Sequence, residues 1–189
     1  SFFINQILLT YSTTATAVYG VWMKLQNFCY MPSFGLNNGM VPILSYNYGT
    51  GRIDRVKETM SVSAKAITAL MLLLCVIFEL IPGAVLSAFN AGDTMRTIGM
   101  ACLRACVISL PFGAISMIRS TSMQALDHVR YSFVINMMRQ CVLLIASFAL
   151  ISLLFKDVML IWLAVPATEI ITFAVSQVLH RKFKTDLKI

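Results

Sequence analysis

Two opposite charges stand where an apolar chain rarely carries them. Glu169 lies about eleven residues into the apolar run that opens near Val158, roughly 16 Å along a helix. Arg139 lies about nine residues beyond Arg130, roughly 13 Å along another. In a hydrocarbon core about 30 Å thick those depths nearly coincide, close to the midplane. A bare carboxylate there is costly, so it must be paired, protonated or facing water. The spacing predicts that Arg139 and Glu169 meet, directly or through water, between the fifth and sixth helical spans. Two roles stay open: an ion pair that pins two helices, and a carboxylate that takes part in moving an ion or solute. An arginine partner favours the ionised form, which makes the acid a poor proton carrier at neutral pH.

Other chemistry finds little footing. The five cysteines, Cys29, Cys75, Cys102, Cys106 and Cys141, all fall in apolar spans and read as buried small hydrophobes, not disulfides. Cys102 and Cys106 are one helical turn apart, but no His pair or second Cys couple completes a zinc site, so no metal is expected. His128 and His180 sit at helix ends among charged residues and read as solvated. There is no Ser-His-Asp set or phosphate loop, and Gly49 to Gly51 reads as a helix end, because no strand precedes it. The chain is not expected to be an enzyme.

The elements that must hold these residues follow from composition. Of the 189 residues 58% are hydrophobic and 12% charged, with a mean hydropathy of +0.79. Soluble domains carry about a quarter charged residues, so too little polar side chain remains to coat a globule. The net charge of +7 sits at the ends of apolar runs, the positive-inside pattern of a membrane protein, and does not point to nucleic acid. The first residues, SFFI, bring no Met and no charged leader, so they read as the inside of a span in a longer protein.

The reading is an all-α, polytopic transmembrane bundle over 1–189 with its first helix truncated. The spans are a partial one at 1–12, then 17–48, 62–89, 98–126, 131–155 and 158–180, with a cytoplasmic basic tail at 181–189. Gly49 to Gly51 ends the second span, and 52–58 is its charged loop. Asp93 or Thr94 caps the turn at 90–94, and Lys156 and Asp157 form a tight turn. The cation-rich loops after spans two and four and the tail alternate with poorer ones, which puts the rich ones in the cytoplasm.

The second span is the most interrupted, with Pro32, Gly35, Gly39 and Pro42 inside it. Membrane helices tolerate such breakers, and Gly35 and Gly39 form a GxxxG packing face. Its polar residues, Lys24, Gln26, Asn27, Asn37 and Asn38, require one face toward protein or water. It reads as a packed structural span or as a cavity wall. Met23, Met31 and Met40 share it with Tyr19 and Trp22 and suit either a membrane core or a promiscuous apolar cavity. Arg104 and Arg119 are roughly 22 Å apart on one helix, so snorkelling to opposite interfaces is expected, and Glu79 reads as interfacial.

The stretch MPSFGLNNGMVPILSYNYGTG followed by RIDRVKE resembles the multidrug and toxic compound extrusion (MATE) transporters. INMMRQCVLLIASFALISLLF, with Arg139, is similar to the family's penultimate helix, and IWLAVPATEIITFAVSQ, with Trp162, Pro166 and Glu169, to its last. The resemblance covers nearly the whole chain. It implies one six-helix lobe of a two-lobe transporter, here the C-terminal one, with the lobes related by an axis along the membrane normal. It also implies secondary active multidrug efflux by alternating access, driven by a transmembrane proton or sodium gradient and needing no bound cofactor. Candidate pathway residues are Tyr19, Trp22, Lys24, Asn27, Met31, Asn136, Arg139 and Glu169. For Lys24, pairing with Glu79, pairing with Glu169 and repulsion of cationic drugs stay open. Implied partners are membrane lipid, the N-terminal lobe and cationic amphipathic small molecules, in a bacterial inner (plasma) membrane. The sodium-coupled branch carries an acid in helix ten, whereas 106–118 here has none. The alternatives are a flippase for lipid-linked oligosaccharide, which needs a cationic cavity from Lys24, Arg104, Arg119 and Arg139, and a non-transporting truncated scaffold.

Overall fold

The computed structural model describes residues 2–87, 89, 92–155 and 157–187. Every regular element among them is helical. A short α1 (Phe2–Leu9) leads into α2 (Thr13–Gly49). Ser12, in extended conformation, accepts a hydrogen bond from the Ala15 amide at 3.0 Å and so starts α2 earlier than hydropathy suggests. The 37 residues of α2 run through Pro32 and Pro42 over roughly 55 Å. Gly51, at φ 71°, turns the chain away where a side chain would be strained. The expected GxxxG contact is absent within the described residues: Gly35 and Gly39 are exposed, and a Cβ on either would meet nothing within 4 Å. The buried stripe of α2 passes instead through Trp22, Cys29, Ser33, Met40 and Leu44.

The next helix, α3 (Ile53–Leu80), differs from the expected 62–89. The charged stretch assigned to a loop forms its first turns, where Arg55 and Glu58 pair at 3.0 Å. Hydropathy marks the part of a helix inside hydrocarbon and misses turns that emerge from it. Ile81, preceding a proline, leaves helical geometry (φ −128°, ψ 41°), and Pro82 opens α4 (Pro82–Ser87). Of the expected turn at 90–94, Asn90 and Ala91 lie outside the described residues. Gly92 occupies the cap position of α5 (Asp93–Val107) in place of Asp93 or Thr94.

The single expected span at 98–126 is two helices, α5 and α6 (Leu110–Ala125), bent by 45°. Pro111 sits in the first turn of α6, where its missing amide breaks the hydrogen-bond ladder and fixes the bend. The fifth span is α7 (Val129–Met137), a π-helical turn at Met138–Val142, and α8 (Leu143–Leu154). A 3-10 turn at Ile161–Leu163 then leads into α9 (Ala164–Asp186), which takes up most of the predicted tail. Arg181, Lys182 and Lys184 are therefore helical. Lys156 and Lys188 lie outside the described residues.

Among the described residues, Ile53–Leu80, Val129–Leu154 and Ile161–Asp186 are long and apolar enough to cross a membrane, and the bent α5–α6 pair passes the same test when its two helices are taken together. α2 is long enough but more polar, because one of its faces lines a cavity. Leu72, Leu73, Val76, Leu150, Leu153 and Leu154 are exposed on α3 and α8, as lipid contact requires. α6 sits at the centre, packed on α2, α3, α7 and α9. The cation-rich ends gather at one pole: Tyr131 Oη donates to Asp186 at 2.8 Å, and Ser45 Oγ to the Ala125 carbonyl at 3.0 Å. At the other pole Tyr11 Oη donates to the Phe155 carbonyl at 3.0 Å, and Arg104 meets Glu79 at 4.0 Å.

Candidate transport cavity

A cavity of about 970 Å³ lies between α2, α6, α7, α8 and α9. Drug-sized ligand sites span about 300–1,000 Å³. α2 lines it with Trp22, Gln26, Asn27, Tyr30, Asn37 and Asn38, and α6 with Met117, Ser120, Thr121 and Gln124. Asn136, Arg139 and Gln140 come from α7 and the π turn, and Thr168 and Glu169 from α9. The wall mixes amides and hydroxyls with aromatic and thioether surface. Arg139 and Glu169 are its charged members.

These two meet as the spacing predicts. Arg139 Nε donates to Glu169 Oε1 and Oε2, each at 2.9 Å, and Nη2 lies 2.9 Å from Oε1. The side chains are 11% and 5% exposed, so the pair is sealed into the wall. The π turn contains Arg139; such one-residue widenings concentrate at functional sites. The guanidinium also lies 5.2 Å from the centre of the Tyr30 ring, a cation–π contact. Gly113 makes room for this cluster. A Cβ there would clash with the Tyr30 hydroxyl and stand 3.0 Å from both Arg139 Nη2 and Glu169 Oε2. The Tyr30 hydroxyl and Asn37 Oδ1 are buried without a partner among the described residues. Nearby, Asn136 donates to Ser120 Oγ at 3.0 Å, and the Ser120 and Ser132 hydroxyls lie 2.8 Å apart.

The expected site residues divide. Trp22, Asn27, Asn136, Arg139 and Glu169 line the cavity. Tyr19 does not; it is buried edge-to-face on Phe148, with ring centres 5.7 Å apart. Met31 is exposed outside the cavity wall, half a turn from the buried stripe. Lys24 is exposed as well, and neither proposed acid pairs with it, since Glu79 meets Arg104 and Glu169 meets Arg139. Arg119 does not snorkel outward: its Nη1 donates to Ser176 at 3.0 Å and its guanidinium stacks 4.8 Å from the Phe173 ring centre. Cys141 is exposed, against the expectation of burial. Tyr30 and Gly113 were not foreseen; the only local signal was Gly113 two residues after a helix-breaking proline.

A bent central span, a π turn and a buried ion pair around a recess describe an all-helical membrane bundle. The chain belongs to the MatE family, whose sequence profile matches residues 1–151. Over 151 residues it is 26% identical to the multidrug export protein MepA of Staphylococcus haemolyticus, covering 79% of this chain and 33% of that protein. A MATE structure in the straight conformation superposes with a TM-score of 0.92 at 15% identity, covering 99% of this chain and 42% of that one. A MOP superfamily transporter from Pyrococcus furiosus, whose binding pocket is described as of reverse polarity, superposes with a TM-score of 0.90 at 16% identity, covering 100% of this chain and 43% of that one. The chain thus spans about a third of the curated relative and about two-fifths of the solved structures. The structural matches include α9, with Glu169, which lies beyond the profile match.

Proposed function

We propose that this chain is the C-terminal lobe of a two-lobe secondary transporter that exports cationic amphipathic small molecules from a bacterial cytoplasm across the inner membrane, driven by a proton or sodium gradient. The observation that carries the reading is the cavity itself. It has drug-site volume, a mixed wall of amides, hydroxyls and aromatic surface, and charges that cancel within one buried pair. Such a wall favours a substrate with both apolar area and modest polarity. The relative named as a multidrug export protein supports the same substrate class. The second lobe closes the open side, and rocking of the lobes exposes the cavity to each membrane face in turn.

Glu169 is a structural member of this wall in our account. Both its oxygens are engaged by Arg139, so protonating it in each cycle would break a buried bidentate pair. The bent α5–α6 span offers no carboxylate between residues 106 and 118. The coupling acid therefore belongs in the partner lobe. A flippase for pyrophosphate-linked lipid would need a cationic cavity. Of the four candidate cations only Arg139 lines this one, and Glu169 neutralises it.

The test is ethidium efflux from cells making the complete protein. Efflux that collapses when the ion gradient is dissipated is the expected result. Absence of efflux from well-folded, membrane-inserted protein would remove the drug-export reading.

A further inference from the structure

A second recess lies at the cation-rich pole, on the side of α6 turned away from the transport cavity. Met117, Ser120, Thr121 and Gln124 of α6 face the large cavity, whereas Ile118, Arg119 and Ser122 face this one. It encloses about 220 Å³ between α3, α6 and α9. Lys57 and Ser61 reach it from α3, and His180 and Lys184 from α9. Three cations, two hydroxyls and an imidazole thus converge, and no carboxylate among the described residues lines the recess.

Nothing within the described residues neutralises this charge. Among the described residues the ion pairs are Arg55–Glu58, Arg104–Glu79 and Arg139–Glu169. Arg119 spends one donor on Ser176 and keeps the rest of its fork. His180, expected to be solvated, is half-buried, and its Nδ1 is buried without a hydrogen-bond partner among the described residues. Such a set selects an anion. The volume is below that of a drug site, so the anion is small, of phosphate size.

Depth names the source. Lys57 is roughly 6 Å from the start of α3, and Arg119 and His180 are each roughly 9 Å from the ends of their helices. The 28 residues of α3 span roughly 42 Å, which matches a bilayer together with its headgroup layers. The recess then lies at the level of the cytoplasmic lipid phosphates. Met60, Ala64 and Ile115 form its apolar wall, and Leu72 is exposed farther along α3 toward the hydrocarbon. Basic pockets between membrane helices on this side are suited to anionic headgroups. We propose that the recess binds the phosphate of an anionic phospholipid of the cytoplasmic leaflet, clamped by Lys57, Arg119 and Lys184. The inference rests on membrane residence alone and not on the drug-export reading.

The experiment is native mass spectrometry of the complete protein, released from micelles holding equal phosphatidylglycerol and phosphatidylcholine. Lys57→Gln, Lys184→Gln and the double substitution are compared with wild type. Both lysines are exposed, so the fold should survive, and an unchanged melting temperature without lipid checks this. The wild type should retain phosphatidylglycerol in preference to phosphatidylcholine. Each substitution should lower that retention about fivefold, and the pair about 25-fold. Equal retention of the two lipids, or retention unchanged in the double variant, overturns the proposal. Displacement of the lipid by inorganic phosphate alone would identify a free-anion site and overturn the lipid source.

Discussion

Replacing Glu169 by Gln should destabilise the lobe far more than an ordinary polar substitution. The amide keeps one acceptor but gives up the charge and the second acceptor, while Arg139 stays 11% exposed with little water to replace them. Removing one partner of a buried pair costs about 3–5 kcal/mol, and the retained acceptor puts this change near the low end, about 3 kcal/mol. For a cooperative unit of the lobe's 189 residues that is a fall of about 6–12 °C in the transition that melts this lobe. The assay is thermal unfolding of the complete protein in detergent, alongside Arg139→Met and the double variant Arg139→Met/Glu169→Met. An apolar pair of similar volume leaves no orphaned charge, so the double variant should lie within about 1 kcal/mol of wild type. A loss below about 1 kcal/mol in Glu169→Gln, or additive losses in the double variant, would falsify the claim that the pair is sealed and mutually dependent.

Gly113→Ala should cost about 1–3 kcal/mol by thermal melting, because its Cβ enters the Tyr30–Arg139–Glu169 cluster, and Tyr30→Phe, which removes the nearest atom, should restore part of the loss. Ser12→Ala should cost about 1 kcal/mol in the same assay by uncapping α2. Glu79→Gln should change the melting point negligibly, within about 0.5 kcal/mol, because its partner Arg104 is 63% exposed and 4.0 Å away.

The sequence was most legible where one strong physical constraint acted alone. A midplane carboxylate must find a partner, and counting helical rise from two loop edges was enough to bring Arg139 to Glu169. Gly51 turns the chain after α2 for the conformational reason the sequence suggests, whereas Gly49 is the last residue of the helix itself. Helix ends were less legible, because hydropathy reports the hydrocarbon core and not the helix: α3 begins in a charged stretch and α9 continues through a basic one. The bend at Pro111 and the π turn at Arg139 redirect whole helix faces, and no periodicity count registers such changes. Tyr19, Tyr30 and Met31 all stand on α2, and which of them meets the cavity is set by the face that α2 turns to α6, not by composition. Glycine spacing misled for a related reason: Gly35 and Gly39 share a helix face, but α2 buries a different one.

The central claim is that a drug-sized cation occupies the recess between α2, α6 and α9. Gln124 is exposed and lines that recess, so Gln124→Trp can fill it without disturbing the core. The direct measurement is ethidium binding to the purified complete protein, by fluorescence anisotropy, for wild type and Gln124→Trp. Saturable binding by the wild type, weakened at least about tenfold in the variant, a penalty of about 1.4 kcal/mol, is the predicted result. Equal affinity for both proteins would place the substrate elsewhere and contradict the account.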